Sequence, residues 1–305
     1  MSRPCTQRQN GFALILVIWA VIMLASLASG FSLAVRHETR VAGDTAAIAH
    51  AEAAATAALH TAVLAFGSAD AETRWQSNLE PHQLAWPGAS IVVRAQSESG
   101  RIDINRAPRE LLVGLFEQVL PNNDANELAD AVVDWRDRDD EALAGGSEKR
   151  AYSGAGFAYT PPNMPFHSVN ELSQVMGFNS AMVSRVRQYL TVYSRQPRIN
   201  ATSADLVTLN AVPGIDRDDA EAFIAERDRT LAEGGTLDFT ALRNGRRYLD
   251  TRPGHMLLSL DIDVRLSDGL RRREHAVIQL NRARGYNLLL RETLPIPLDS
   301  EANGG

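Results

Sequence analysis

Residues 12–35, FALILVIWAVIMLASLASGFSLAV, form an apolar stretch of 24 positions without a charged side chain. As a helix with a rise of ~1.5 Å per residue, this stretch spans ~36 Å and crosses a hydrocarbon core of ~30 Å with some tilt. Buried core helices of globular proteins rarely remain apolar on every face over such a length. The stretch therefore predicts one membrane-spanning helix close to the amino terminus.

The charges on either side of this stretch predict its orientation. The amino group, Arg3 and Arg8 precede it, whereas Arg36 and Arg40, which follow it, are offset by nearby acidic residues. Positively charged flanks stay in the cytoplasm. We therefore expect a single-pass membrane protein with a cytoplasmic amino terminus and a translocated body.

The junction Gln9-Asn10-Gly11-Phe12-Ala13 joins a short basic, polar leader that ends in glycine to a hydrophobic segment that begins with phenylalanine. It resembles the leader of type IV pilins, which a prepilin peptidase cleaves after the glycine. The resemblance implies cleavage after Gly11 and N-methylation of Phe12. The net charge would fall from −6 to −8, because two arginines are lost with the leader. A secretory signal cleaved near Ala28-Ser29-Gly30 is the alternative.

The fifth residue of the mature chain departs from the usual pilin pattern. Most pilins carry glutamate there, where it neutralises the amino terminus of a neighbouring subunit, but this sequence has Leu16. A buried, unpaired ammonium group is costly, so a subunit inside a filament would not readily lose that carboxylate. A subunit at the tip has no neighbour above it. In this respect the chain is similar to the protein K family of type II secretion systems.

Alanine dominates residues 45–66, beyond the membrane, and neither glycine nor proline interrupts them. Because alanine is the strongest helix former, the helix is predicted to continue to the end of this range. Ile48, Ala55, Leu59 and Phe66 are expected on its buried face.

Patterns of β-strands occur on both sides of a long helical region. Strands are predicted at Ile91–Ala95 and near Ile102–Ile104, and a hairpin at Leu257–Leu280 around the turn Ser267-Asp268-Gly269. The predicted fold class is α+β. A pilin-like N-terminal helix packs on a small antiparallel sheet, which a large and mostly helical insertion of the SAM-like or helix-hairpin-helix type interrupts.

Six segments follow from these patterns. They are a leader (1–11), the membrane and amphipathic helix (12–66), the first part of the sheet core (67–105), the helical insertion (106–250), the C-terminal strands (251–285) and a tail (286–305).

The insertion contains an internal repeat and two hairpin motifs. Ile104-Asn105 lies seven positions before Leu111-Leu112. Ile199-Asn200 lies at the same distance before Leu206-Val207, which predicts two related halves with a period of 95. Segments 172–186 and 209–224 resemble helix-hairpin-helix units. Such units often bind DNA phosphate through amides at a helix start, but acidic residues begin the second helix of the clearer unit. We favour packing modules, and a membrane-anchored DNA-binding protein is an alternative.

Further motifs extend the resemblance to protein K in the order of the chain. They are Asp134-Trp135-Arg136-Asp137-Arg138-Asp139, Gly145-Gly146-Ser147-Glu148, Tyr159–Asn163 before Val169–Leu172, and Tyr189–Tyr193 leading into Arg198–Ala201. The resemblance implies a minor pseudopilin at the tip of the pseudopilus that exports folded proteins across the outer membrane. Its implied partners are the minor pseudopilins I and J and the prepilin peptidase, with pseudopilin H and the major pseudopilin as further candidates. A minor pilin of a type IV pilus and a secreted globular protein are alternatives.

An acidic segment is the candidate cofactor site. Four carboxylates occupy relative positions 1, 3, 5 and 12, as in a calcium loop: Asp137, Asp139, Glu141 and Glu148. Position 6 is Ala142 instead of the glycine that permits the sharp turn. Asp134 and Asp140 are alternative oxygen donors, and Arg136, Arg138 or Lys149 are alternative sources of positive charge. The resemblance to protein K implies Ca²⁺ in this region.

Composition argues against other classes. A net charge of −6 does not favour a nucleic-acid partner, and the one cysteine, Cys5, permits neither a disulfide framework nor a thiolate zinc site. The sequence carries no P-loop, nucleophile-elbow or HExxH motif, so we do not expect an enzyme.

Overall fold

The computed structural model describes residues 10–68, 70, 73–233, 235–252, 257–281 and 285–296. Arg3, Cys5 and Arg8 of the predicted leader lie outside these ranges. In chain order the helices and strands are α1 (Asn10–Phe66), β1 (His82–Trp86), β2 (Ala89–Ser97), β3 (Ile102–Asp103), α2 (Arg109–Val119), α3 (Ala125–Arg136), α4 (Lys149–Gly154), α5 (Ser180–Val186), β4 (Leu190–Thr191), β5 (Ile199–Asn200), α6 (Leu206–Asn210), α7 (Arg217–Ala232), β6 (Leu249–Asp250), β7 (Leu257–Leu266), β8 (Arg271–Leu280) and β9 (Tyr286–Leu294). Short 3-10 helices occupy Glu98–Gly100, Val169–Gln174, Arg187–Tyr189 and Thr240–Tyr248.

Helix α1 runs for 57 residues without a break, from the apolar stretch into the body of the protein. Small side chains on its C-terminal part, such as Ala51, Ala55, Ala58 and Ala62, are buried against the sheet, so the helix lies close to the strands. Ile48 was expected on this face but is 51% exposed. The residue before it, Ala47, packs against this core instead.

The five-stranded sheet is antiparallel throughout, with the order β1-β2-β7-β8-β9. The predicted hairpin is present as β7 and β8, with Gly269 at a φ of +94° in the turn, a conformation that favours glycine. Val93, Leu260 and Val264 face α1 and complete the first hydrophobic core.

The predicted C-terminal tail begins with a fifth strand, so its assignment was wrong for Tyr286–Leu294. This strand pairs with β8, and a bulge interrupts their register between Val277 and Ile278. The bulge inserts an extra residue and breaks the alternation of apolar and polar positions. The pattern that identifies a strand in the sequence is therefore absent here.

The insertion has a hydrophobic core of its own that extends from Ile102 to Leu249. Strand β3 pairs in parallel with β4 inside the insertion, so Ile102–Asp103 belong to it and not to the sheet core that was predicted to end at residue 105. Its largest fully buried side chains include Leu111, Phe116 and Leu172.

The two related halves of the insertion follow a period of 97, which corrects the predicted 95. The carboxylate of Asp103 accepts a hydrogen bond from the amide of Asn105, and the side chain of Asn200 accepts one from the amide of Thr202, both at 2.9 Å. Helices α2 and α6 each begin six residues after the first residue of these turns, at Arg109 and Leu206. The turns begin at Asp103 and Asn200, so the strand residues directly before them, Ile102 and Ile199, are equivalent in the two halves.

The two halves contact each other where α2 crosses α6. Gly114 of α2 and Ala211, directly after α6, occupy equivalent positions of the repeat. A β-carbon on Gly114 would overlap the carbonyl oxygen of Ala211 and lie 2.9 Å from its carbonyl carbon. Gln118 completes the crossing, since its amide nitrogen donates to the carbonyl of Gly114 and its oxygen accepts from Asn210. Glycine is thus required for the close approach of the two helices.

Candidate functional site

The N-terminal part of α1 meets the requirements of a membrane anchor. Leu14–Phe31 have a mean hydropathy of 2.5, and none of these residues is buried. The helix passes through the alternative signal cleavage site at Ala28-Ser29-Gly30 without interruption. The same helix therefore provides both the apolar segment and the central element of the sheet core.

Two of the predicted processing residues, Gly11 and Phe12, lie in the first turn of α1. Leu16 follows on the same helix with 58% of its surface exposed. Cleavage after Gly11 and methylation of Phe12 remain predictions.

The acidic segment forms a loop between α3 and α4, and a Gly-Gly turn holds it against α3. The amide of Gly145 donates to Asp130 at 3.0 Å, and the amide of Leu143 donates to the carboxylate of Asp134 at 3.2 Å. A β-carbon on Gly146 would lie 2.6 Å from the carboxylate carbon of Asp134, so a larger residue there would displace this carboxylate. Asp134 is fully buried, and this burial raises its pKa.

Glu148, at the end of this loop, is buried without a compensating positive charge. It is 6% exposed, and neither carboxylate oxygen makes a well-formed hydrogen bond with a described residue, although the nearby amide of Lys149 lowers the pKa. Burial raises the pKa of Glu148 to about 7, and the charges of Asp134, Asp137 and Asp140 add to this effect. An unpaired buried carboxylate is costly, so the loop has a deficit of positive charge.

Other oxygen atoms of this region also lack partners. Oδ1 of Asp137 and Oδ1 of Asn163 are buried without a hydrogen bond. Burial and the charge of Asp139 raise the pKa of Asp137. Four buried acceptor oxygens without donors, two of them on Glu148, have the chemistry that a Ca²⁺ ion satisfies, because calcium binds carboxylate and amide oxygens. These residues therefore fit a calcium ion.

The neighbouring cations do not supply the missing charge. The Arg136 guanidinium donates to the backbone carbonyls of Ile104 and Ala107, and burial lowers its pKa to about 10. In the described part of the chain, neither Arg138 nor Lys149 forms an ion pair with the acidic loop.

The structure brings together only part of the predicted ligand set. Asp137 and Glu148 lie near Asp134 and Asp140, whereas Asp139 and Glu141 are exposed. The side chain of Asp139 instead accepts a hydrogen bond from the amide of Glu141 at 3.1 Å. No three Asp, Glu, His or Cys side chains are already arranged as a complete metal site within the described ranges.

Asn163 is the residue of this region that the spacing along the chain did not identify. It follows Glu148 by 15 positions, and its side-chain nitrogen donates to the carbonyl of Asp139 at 2.6 Å and to Oδ1 of Asp140 at 3.1 Å. Its signal in the sequence is the turn motif Pro161-Pro162-Asn163, which belongs to a stretch that resembles protein K.

The two helix-hairpin-helix turns are present, with Gly177 and Gly214 at φ values of +92° and +86°. The helix after each turn is capped from within the chain. Asp216 accepts from the amide of Asp219 at 2.8 Å, and Asn179 accepts from the amide of Met182 at 3.0 Å. Because a carboxylate already occupies the amides at the start of α7, this geometry favours packing over phosphate binding.

One family model matches about a third of the chain. Residues 92–195, which extend from β2 to just beyond β4, match the family model of protein K of the type II secretion system. The matched range includes α2, α3 and the acidic loop. No curated protein matches the chain.

The fold is similar to that of a chain in the crystal structure of the GspK-GspI-GspJ complex from the type 2 secretion system of enterotoxigenic Escherichia coli. The TM-score is 0.60 at 18% sequence identity, and the alignment covers 86% of this chain and 99% of the other. At this identity the likeness establishes the fold, including the sheet core and the insertion together.

Proposed function

We infer that this chain is a minor pseudopilin of the protein K family of type II secretion systems. The observation that carries this conclusion is the family match at residues 92–195 within a pilin-like fold. One helix joins an apolar, unburied segment to the sheet core, as an anchored subunit of a filament requires.

We further propose that the subunit lies at the tip of the pseudopilus and binds minor pseudopilins I and J. The fold is shared with a chain from a complex of three pseudopilins, which supports these partners. Leu16 supports the tip position, because a terminal subunit has no neighbour whose amino group needs a carboxylate. Contacts with pseudopilin H, with the major pseudopilin and with the prepilin peptidase belong to the same proposal, as does insertion in the inner membrane with a periplasmic body.

Processing provides the first test of this role. Gly11→Glu should block removal of the leader, whereas Gly43→Glu, the same substitution in the exposed part of α1, should leave processing intact. Mass spectrometry of the purified protein distinguishes the two. A mature terminus at Gly30 or Phe31 instead of Phe12 would contradict the pilin leader and support a secretory signal.

Assembly provides the second test. Deletion of the chain should abolish export of folded proteins and reduce pseudopilus formation, and cross-linking should recover I and J. Loss of a type IV pilus with normal secretion would instead support the alternative role as a minor pilin.

We also propose that the acidic loop binds Ca²⁺ when the protein is folded. The unpartnered oxygens of Asp137, Glu148 and Asn163 support this proposal, with Asp134 and Asp140 as neighbouring donors. The ion would supply the positive charge that the loop lacks and hold the loop against α3.

Thermal unfolding of the full chain in detergent tests calcium binding. A ligand bound only by the folded state adds ~2.7 kcal/mol at a hundredfold excess over Kd, so EGTA should lower the melting temperature. Asp137→Asn with Glu148→Gln should remove this difference. The matched control, Asp139→Asn with Glu141→Gln, changes two exposed acids of the same loop and should retain it. A wild-type melting temperature that does not respond to calcium would refute the proposal.

A further inference from the structure

The 3-10 helix at Thr240–Tyr248 buries every third residue against the insertion. The buried positions are Leu242, Gly245 and Tyr248. A β-carbon on Gly245 would lie 2.5 Å from side-chain atoms of both Val212 and Ile215, so this side of the helix packs closely on the second hairpin turn. In a 3-10 helix, side chains three positions apart project in the same direction. The packing therefore fixes the direction of the other side chains of this helix.

Arg243 and Arg246 lie three positions apart on this helix, so their side chains project side by side. Both residues are exposed, and both line one cavity of about 440 Å³ together with Thr240. Like charges at neighbouring positions of a helix repel each other. Neither guanidinium group forms an ion pair with a residue that the structure describes. The two positive charges are therefore available to a ligand.

The nearby carboxylates already have other hydrogen-bond donors. Asp238 also lines the cavity, but its carboxylate accepts hydrogen bonds from the amide and the hydroxyl of Thr240, at 2.9 and 2.6 Å. Asp250 lies in the sequence between two lining residues, and Arg252 donates to it twice, at 3.1 and 3.0 Å. Two arginines and one aspartate give the lining a net charge of +1, on a chain whose net charge is −6. The cavity is thus a local excess of positive charge on an acidic protein.

Much of the remaining lining is apolar. It is formed by Leu237, Phe239, Leu242 and Leu249. The ring of Phe239 packs 5.5 Å from that of Phe223, which holds this wall in place. Cavities of several hundred Å³ that combine apolar walls with a few charged groups are typical of ligand sites. Guanidinium groups bind carboxylates through paired, parallel hydrogen bonds. The lining therefore suits a carboxylate that has apolar groups beside it.

We propose that this cavity binds an aspartate or glutamate side chain of a partner protein, from a segment in which apolar residues flank the acidic one. The carboxylate lies between Arg243 and Arg246 and offsets their mutual repulsion, while the flanking side chains contact Leu237 and Phe239. A peptide is favoured over nucleic acid, because two cations neutralise few phosphates and apolar walls contribute nothing to phosphate binding. This inference goes beyond the proposed function and depends on neither calcium binding nor leader processing.

The test uses the full chain in detergent and measures the binding of synthetic peptides by ligand-observed NMR, which is suited to weak ligands. Acetyl-GLELG-amide should bind roughly tenfold more tightly than acetyl-GLQLG-amide, because a hydrogen bond to a charged group contributes that much affinity. Arg243→Gln and Arg246→Gln should each weaken binding of the glutamate peptide by a similar factor. Arg247→Gln is the matched control: Arg247 lies against the ring of Tyr248 outside this lining, so affinity should stay within about twofold of wild type.

Charge reversal shows that a variant without binding is still folded. Arg243→Glu with Arg246→Glu should lose the glutamate peptide and bind acetyl-GLKLG-amide instead. Equal affinity of the wild-type chain for the glutamate and glutamine peptides, or equal losses in all three glutamine variants, would overturn the proposal, as would the absence of any peptide binding. Inorganic phosphate that binds as tightly as the glutamate peptide would show a general anion site instead. A short DNA duplex that binds more tightly would favour the DNA-binding alternative. The pseudopilin role is tested by processing and secretion and stands apart from these results.

Discussion

The crossing of α2 and α6 predicts that Gly114→Ala separates the two halves of the insertion. The new β-carbon would lie 2.9 Å from the carbonyl carbon of Ala211, whereas carbon atoms in contact are normally ~3.5–4.0 Å apart. The helices must therefore move apart by roughly 0.6–1.1 Å, since the obstructing atoms are backbone and have no rotamer to change.

The magnitude follows from three effects. Overpacking of this kind costs ~1–3 kcal/mol. The displacement also removes a quarter to a half of the dispersion energy of each contact across the crossing. Leu115 and Leu209 are fully buried there. Replacement of a helical glycine by alanine stabilises the helix itself by up to ~1 kcal/mol, which offsets part of this loss. We expect a net loss of ~2–3 kcal/mol, which corresponds to a roughly 30- to 150-fold loss of protection.

Hydrogen exchange measured by mass spectrometry is the suitable assay, because it reports local stability for peptides that contain α2 and α6. Gly154→Ala is the matched control: it ends a helix and has no atom within 4 Å of the new β-carbon, so protection should stay equal or rise. Protection within threefold of wild type in Gly114→Ala would show that the two helices are not in close contact.

Three further perturbations have defined outcomes. Asp103→Asn replaces an acceptor by a donor opposite the amide of Arg195 and should lower stability by ~1–3 kcal/mol in thermal unfolding. The hydrogen bond from Arg109 holds the pKa of Asp130 below its usual value, so this stabilisation is complete above pH ~4 and is lost as the pH falls through the folded pKa. Arg109→Gln should flatten the acid dependence of the unfolding midpoint as the pH falls below ~4, and an unchanged slope there would contradict this assignment. Leu16→Glu should not improve pseudopilus assembly, and a strong gain would refute the tip position.

Helices and strands whose sequence pattern is local and regular were predicted correctly. The uncharged run at 12–35 indicated a continuous helix, and the alternation at Leu257–Leu280 indicated the hairpin, because each element is regular over its whole length. The fold class follows from these two signals and the helical region between them. Strand β9 was missed because its bulge removes the alternation on which the prediction depends.

The acidic loop could be predicted from the sequence, but not which of its side chains lie together. Counting along a calcium loop selected Asp139 and Glu141, but a local turn places both at the surface. Asp134 reaches the acidic loop from helix α3, and Asn163 reaches it from a second loop. The spacing of residues along the chain does not reveal contacts between separate segments.

The position of the insertion in the sheet has a consequence for the order of folding. Ser97 and Leu258 are direct partners in the β2–β7 ladder, yet 160 residues, 98–257, lie between them. If residues 102–250 fold first, only 11 of these 160 residues remain to be closed. The entropic penalty of loop closure scales with the logarithm of length, so this order lowers it by about 2.5 kcal/mol. The central pair of strands should therefore form late, and a hydrogen-exchange pulse during refolding should protect α2 and α3 before β7.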